Sequence, residues 1–149
     1  MRTMNYRKGS HTVDDLKYHI VWITKYRKPI LRGEIAKHLR ELVRQVCATL
    51  DVEIGSGHVA VDHVHVLGSV PPHLALSELV QRLKGRTSRL MLAAFTELSR
   101  QFWGRYLWAR GYFVAASGNV TDEVIMQYIE AQEKSGPPDE SSTFTLGDH

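Results

Sequence analysis

Cysteine is nearly absent from this chain: Cys47 is the only one in 149 residues. No intrachain disulfide is therefore possible, and a reducing, cytoplasmic setting fits. No apolar run approaches the ~20 residues of a membrane span. The first ten residues are basic and polar without an apolar stretch, so no secretory signal is read there. No internal repeat is present. Positive charge is missing from one end: all 19 Lys and Arg precede Pro137, whereas Asp139, Glu140 and Asp148 follow it. Residues 1–136 thus hold 13 of the 16 acids and a net charge of +6, a surface that leans towards a polyanion. Residues 1–136 are expected to form one domain large enough for a proper core. Residues 137–149, polar and acidic with nothing to bury, are expected to be a disordered tail.

What is present alternates between strand and helix signals. Residues 16–24 are rich in β-branched and aromatic side chains and read as a strand. The basic segment Lys25, Tyr26, Arg27, Lys28 follows, ended by Pro29. An aromatic ring among cations can stack a base while the cations hold phosphates. Apolar residues at three- and four-residue steps (Ile35, Leu39, Leu42, Val43, Val46, Leu50) predict a helix over 33–50. A second strand is expected over 52–59, with Gly55 and Gly57 marking a bulge or close approach. A third, 63–69, is closed by Pro71 and Pro72.

Residues 76–98 read as one long helix. Its apolar stripe is interrupted by Arg82, Lys84, Arg86 and Arg89 around Gly85, and these cations are expected to bind phosphate. Two short extended segments, 103–108 and 111–116, mix Arg105 and Arg110 with Trp103, Tyr106, Trp108 and Tyr112. A last helix over 121–133 starts at Thr121, a good N-cap, and stops at Gly136-Pro137-Pro138.

The chemistry centres on His63-Val64-His65. In a strand, His63 and His65 share one face, with Cα atoms roughly 6.5–7 Å apart, and Val64 opposes them. Two imidazoles at that spacing can converge on one metal ion. Asp62 suits the turn into the strand, and His58 reads as a structural bystander. On the final helix Tyr128 and Gln132 lie four residues apart on one face. A tyrosine hydroxyl can serve as nucleophile where a cation stabilises charge on the substrate. Two imidazoles and an amide oxygen suit Mn²⁺, or Mg²⁺ where phosphates and waters supply the rest.

Five stretches carry a resemblance in order and at compatible spacing. They are Tyr18-His19-Ile20-Val21-Trp22 with Lys25-Tyr26-Arg27; Asp62-His63-Val64-His65; Leu83-Lys84-Gly85-Arg86-Thr87-Ser88; Leu107-Trp108; and Gln127-Tyr128-Ile129-Glu130-Ala131-Gln132. Over about residues 14–134 the sequence resembles the HUH single-tyrosine transposases of bacterial and archaeal insertion sequences. The resemblance implies an α+β, ferredoxin- or RRM-like HUH fold, an antiparallel sheet with helices packed on it. It implies Tyr128 as catalytic nucleophile, His63, His65 and Gln132 as metal ligands, and a homodimer whose late helix can complete the partner's site. The implied substrate is single-stranded DNA with hairpins, cut and rejoined through a 5′-phosphotyrosine. Residue 61 departs from the pattern, being Val where many relatives have Pro, and Gly68 is less apolar than a buried strand leads one to expect.

Two rival functions share parts of this pattern. One is a domesticated or non-catalytic hairpin-binding module on the same fold, which the intact Tyr128, His63, His65 and Gln132 argue against. The other is a nucleotide-phosphate hydrolase with a histidine strand, which needs a third alternating histidine where Leu67 stands.

Overall fold

Alternation along β1 (Leu16–Ile23) divides the molecule. Ile20 and Trp22 point to one face and join the main core; Val21 and Ile23 point to the other and join a smaller one. The structure, a computed structural model, describes residues 16–102, 106–118 and 121–132. The expected acidic tail, Trp103 and Arg105 lie outside the described residues.

The sheet has four antiparallel strands in the order β2-β3-β1-β4, where β2 is Glu53–Val59, β3 His63–Val70 and β4 Phe113–Ala116. β1 and β3 are central and pair along eight residues, from Leu16 opposite Val70 to Ile23 opposite His63. The β2–β3 register slips between Ile54 and Ser56, which makes Gly55 the extra residue of a bulge. Gly68 is explained by crowding: a Cβ there would meet Val52 Cγ1 at 3.1 Å.

Helix α1 (Gly33–Thr49) and helix α2 (Leu76–Ala94) cover one face of the sheet. α1 buries Ala36, Leu39, Leu42, Val43, Val46 and Cys47 against Val64 and Val66 of β3 and Ile20 and Trp22 of β1. At about 1.5–3 kcal/mol per fully buried large apolar side chain, this layer holds most of the domain's stability. The long helix expected over 76–98 is broken. Phe95 takes extended backbone angles, closes α2 and opens α3 (Thr96–Gln101). Phe95 stacks edge-on against His38 of α1, and the Ser99 hydroxyl donates to the Leu92 carbonyl at 2.6 Å. Leu98 is buried on the far side of the break, so the apolar spacing runs through it undisturbed.

The cations of α2 separate by face. Arg82 and Arg86 are exposed, as expected of phosphate ligands. Lys84 is not: it is 7% exposed, and Nζ donates to the carbonyls of Ala109 and Gly111, each at 2.8 Å. The phosphate role expected of Lys84 is therefore corrected to a structural one. Thr87 and Ser88 continue the same line. Thr87 Oγ1 accepts from Trp108 Nε1 at 3.0 Å, and Ser88 Oγ accepts from the Leu107 amide at 2.9 Å. Three polar side chains of α2 thus fix residues 107–111, which have no long strand or helix to hold them.

Helix α4 (Asp122–Glu130) lies on the opposite face. Thr121 caps it as expected, its hydroxyl accepting from the Val124 amide at 3.3 Å. Ile125 and Ile129, one helical turn apart, bury against Val21 and Ile23. The remaining apolar residues Val124 and Met126 are exposed. A nine-residue helix is not stable alone, so two isoleucines, flanked by Phe113 and Tyr128, carry its attachment.

Lys84→Met should destabilise the domain by about 2–4 kcal/mol, since two buried carbonyls lose a charged donor. Urea unfolding measures the loss. Amide exchange should quicken in residues 107–111 before it does in α1.

Candidate active site

The sheet face beneath α4 carries the histidines. His63 and His65 sit on β3 opposite Ile23 and Val21, so both rings stand on the face that α4 covers in part. Val64 and Val66 point the other way, into the main core. This is the division expected from the strand alternation.

His63 is held by a carboxylate. Asp62 Oδ1 lies 2.9 Å from His63 Nδ1, and Asp62 Oδ2 accepts from Arg27 Nε at 3.3 Å. A carboxylate on Nδ1 fixes the ring and leaves Nε2 with its lone pair outward, the arrangement common behind metal-bound histidines. Arg27 was expected to meet DNA; its Nε is instead committed to Asp62, with the side chain only 16% exposed. Tyr26 and Arg27 reach this position through a tight turn, Lys25–Arg27, in which both have positive φ, 60° and 54°. Such conformations cost of order 1–3 kcal/mol each in non-glycine residues and persist where the surroundings enforce them. The surroundings here are hydrogen bonds. The Thr24 amide donates to the Asp62 carbonyl at 3.0 Å and the Lys25 amide to the Leu107 carbonyl at 2.9 Å. The Thr24 hydroxyl lies 2.9 Å from the Lys28 carbonyl.

His65 has different company. Nε2 is 2.9 Å from His19 Nδ1 of β1. His58 of β2 is opposite His65 in register and its ring stands 6.5 Å from that of His63. His58, expected to be a bystander, is exposed. Burial, and then the neighbouring His19 and His63, push the His65 pKa below its ordinary 6.5, with Asp122 at the start of α4 pulling the other way. His65 is therefore neutral at neutral pH, the form that binds metals.

Tyr128 and Gln132 are not joined to this pair. Tyr128 is half-buried and its ring packs on Phe113 of β4, centroids 5.4 Å apart, on the side of β1 away from β3. Burial pushes its phenol above the usual pKa. Gln132 lies in a cleft of about 470 Å³ with Lys25, Tyr26, Tyr106, Trp108, Ala109 and Arg110. Among the described residues, neither Tyr128 nor Gln132 makes a hydrogen bond or ring contact with His63 or His65. Nor do three His, Cys, Asp or Glu side chains among them gather as a metal-binding group. The donor chemistry still fits a divalent ion in part: two imidazoles share a face, one held by a carboxylate and the other neutral.

Arg82 and Arg86 are placed elsewhere. With Arg89, Gly85, Val46 and Thr49 they line a cleft of about 400 Å³ in the helix layer, across the sheet from the histidines. Arg82 also pairs with Glu78 at 3.2 Å.

A four-stranded antiparallel sheet with a histidine pair on one strand and a tyrosine on a late helix is the α+β arrangement that the resemblance implied. The comparisons agree. The family model "Transposase IS200 like" matches residues 12–132, and the chain belongs to that family. It is 36% identical over 126 residues to the ISDra2 transposase TnpA of Deinococcus radiodurans, covering 85% of this chain and 90% of the relative. It is 33% identical over 123 residues to the transposase for insertion sequence element IS200 of Salmonella typhimurium, covering 83% and 80%. A solved transposase structure from Deinococcus radiodurans R1 aligns with a TM-score of 0.74 at 36% identity, over 83% of this chain and 95% of that one. The structure of a REP-associated tyrosine transposase bound to a REP hairpin shares the fold, with a TM-score of 0.54 at 14% identity over 78% and 65% of the two chains.

The lowered pKa of His65 sets a sign for stability. An unfolded chain binds the proton more readily than the folded one, so stability is full above about pH 6.5 and falls as pH drops through that value. Thermal melts in chelator from pH 8 to 5 should show this loss, and His65→Ala should flatten it. Asp62→Asn should weaken the hold on both Arg27 and His63 and destabilise the domain by about 1–3 kcal/mol, as measured by urea unfolding.

Proposed function

We propose that this transposase cleaves and rejoins single-stranded DNA through Tyr128 with the help of a divalent ion, Mg²⁺ or Mn²⁺, and that it works as a homodimer. The observation that carries this reading is the pair His63 and His65, turned to the same sheet face that bears the tyrosine helix. His63 and His65 would hold the ion, and Gln132 would add an amide oxygen. When bound, such an ion draws charge from a phosphodiester and makes its phosphorus easier to attack.

The chain's own residues then divide the work. Tyr128 Oη forms a bond to phosphorus as the bond to the 3′-oxygen breaks, leaving a 5′-phosphotyrosine and a free 3′-hydroxyl. The phenol proton passes to solvent, and the departing 3′-oxygen takes a proton from solvent. A phenol is protonated at neutral pH, and burial pushes this one further up, so cleavage should accelerate as pH rises towards 9. Attack by another strand's 3′-hydroxyl on the phosphotyrosine reverses the step and rejoins DNA. The ester conserves the bond energy, which suits rejoining better than hydrolysis.

Two surfaces suit the DNA. The cleft beside Gln132 combines Tyr26 and Tyr106 with Lys25 and Arg110, a mixture that stacks bases and holds phosphates of a single strand. Lys28 adjoins it in sequence. The Arg82, Arg86 and Arg89 ridge across the sheet suits a duplex stem such as a hairpin. The relative bound to a REP hairpin makes that class of ligand reasonable here.

The dimer reading draws on α4. Its tyrosine leans to β4 rather than to the histidines, and its attachment is slight. A helix held in this way can dock on a second copy, where Tyr128 of one chain would meet His63 and His65 of the other. Tyr128→Phe and the His63→Ala/His65→Ala double variant should each be inactive alone. Mixed dimers of the two should recover partial cleavage of hairpin-bearing single-stranded DNA, since one composite site receives an intact tyrosine and an intact histidine pair. A covalent protein–DNA adduct with Tyr128→Phe on a denaturing gel would remove the tyrosine assignment. Verified mixed dimers without cleavage would remove assembly across the dimer alone.

Replacing Arg82 and Arg86 together by Ala should weaken DNA binding and make its salt dependence shallower. For two contacts to single-stranded phosphates, the slope of log affinity against log salt should fall by about 1.4. Contacts to a duplex stem would lower it by about 1.8.

A further inference from the structure

β2 is an edge strand, and its outer side is bare. Among the described residues it pairs with β3 alone. The Ala60 amide donates to the His63 carbonyl at 2.9 Å, and hydrogen-bonded and open pairs alternate along an antiparallel ladder. The pairs His58–His65 and Ser56–Leu67 therefore carry the β2–β3 hydrogen bonds, and Gly57 and Val59 turn their N–H and C=O groups outward. Proteins commonly guard such an edge with lysine, proline, a bulge or a covering loop. The exposed run Gly55-Ser56-Gly57-His58 carries neither lysine nor proline. The bulge at Gly55 guards one end and leaves 56–59 in regular register with β3.

A cavity of about 90 Å³ opens beside this edge, between β2 and α1. Its apolar walls are Val43 of α1, Ile54 and Val59 of β2, and Val64 and Val66 of β3. Gly57 keeps it open. It is opposite Val66, so a side chain there would point towards α1 and into the space. Its backbone is outside the left-handed region, and an added Cβ would meet nothing nearer than 3.8 Å. Glycine within a strand costs roughly 0.5–1 kcal/mol. Unlike Gly68, Gly57 is required by neither crowding nor backbone angle, and the reason left for it is close approach of another chain. Arg40 and Arg44, exposed and one helical turn apart on α1, border the same cavity. Arg44 reaches Glu41 at 3.3 Å, whereas Arg40 has no ion pair among the described residues.

These features select one kind of occupant. The outward groups of Gly57 and Val59 can take an extended chain as a fifth strand. Alternate side chains of that strand would face α1 about 7 Å apart. One aliphatic side chain fits the cavity, and a carboxylate two residues away reaches the arginines. A nucleic acid would use the arginines but neither the apolar walls nor the strand edge. We propose that the β2 edge docks an extended, acidic segment of another protein, with an aliphatic anchor beside Gly57 and carboxylates at Arg40 and Arg44. β2 and β4 are opposite edges of the sheet, so docking here leaves β4 and the tyrosine helix free.

The probe is a fluorescent peptide, Thr-Glu-Thr-Val-Thr-Glu-Thr, whose Glu, Val and Glu share one face when extended. Anisotropy reads its binding to the full chain, and amide exchange reads where it docks. Wild type should bind it, and at saturation exchange of the Gly57 and Val59 amides should slow at least tenfold. Gly57→Val fills the cavity from within and should weaken binding at least tenfold with no fall in melting temperature, since valine suits a strand. Arg40→Glu combined with Arg44→Glu should weaken it as much. The exchange readout on wild type stands whether or not Gly57→Val folds. No binding by wild type, unslowed exchange at Gly57 and Val59, or equal binding by a folded Gly57→Val would overturn the proposal. So would evidence for a different occupant. Dimerisation in sedimentation that Gly57→Val abolishes would make it a second copy. Protection of Gly57 and Val59 in the free chain, lost on deleting residues 137–149, would make it the chain's own acidic end. Displacement of the peptide by oligothymidylate, which Gly57→Val still binds, would make the edge a nucleic-acid surface.

Discussion

The Asp62 carboxylate is the point on which the site depends. One oxygen meets His63, the other Arg27, and the backbone carbonyl takes the Thr24 amide. Those partners sit at the start of β3, in the strained turn after β1, and at the residue that joins β1 to that turn. Without the carboxylate, the left-handed angles at Tyr26 and Arg27 would lose one of the contacts that offset their cost, and His63 would lose its orientation. The turn is also bound to residues 107–111 through Lys25 and Leu107, and that segment to α2 through Lys84, Thr87 and Ser88. A continuous series of hydrogen bonds therefore runs from the helix layer, around the edge of the sheet, to a histidine on the opposite face.

That series explains why a small domain spends buried polar groups where apolar ones would pack more simply. A buried lysine is costly to desolvate, and the low pKa of Lys84 reflects that cost. It is retained where residues 107–111 have a single bridge, Thr24 to Trp108, in place of a regular strand. Directional donors from a rigid helix do for that segment what sheet pairing does for β4.

Much of this was legible in the sequence, and the exceptions have physical causes. Strand alternation placed His63 and His65 correctly because parity in a strand fixes the face. The stripe of α1 was readable because Leu39, Leu42, Val43 and Val46 are both apolar and in phase. Lys84 was misread because charge was taken as a sign of exposure, although Val80, Lys84, Thr87, Ser88 and Met91 follow one another at helical spacing. The lysine sits where the stripe required a buried residue, and that phase was the available signal. The break at Phe95 left none, having neither glycine nor proline and keeping Leu98 in register. His19 shares its parity with Val21 and Ile23, yet only pairing between β1 and β3 brings it to His65, and register is not written in local pattern. The separation of Tyr128 from the histidines depends on which side of β1 the last helix leans, a tertiary matter that periodicity does not address.

Cys47 has a consequence for how the molecule meets its surroundings. It is sealed in α1 at 1% exposure, and burial raises its thiol pKa to about 11. Almost none of it is thiolate at neutral pH, so it neither oxidises nor alkylates readily. Towards thiol-directed chemistry the folded chain behaves as though it had no cysteine. A single cysteine introduced on the exposed side of α4, at Met126 for example, would be the one reactive thiol. A dye placed there would report where the tyrosine helix docks, with no background from the rest of the fold.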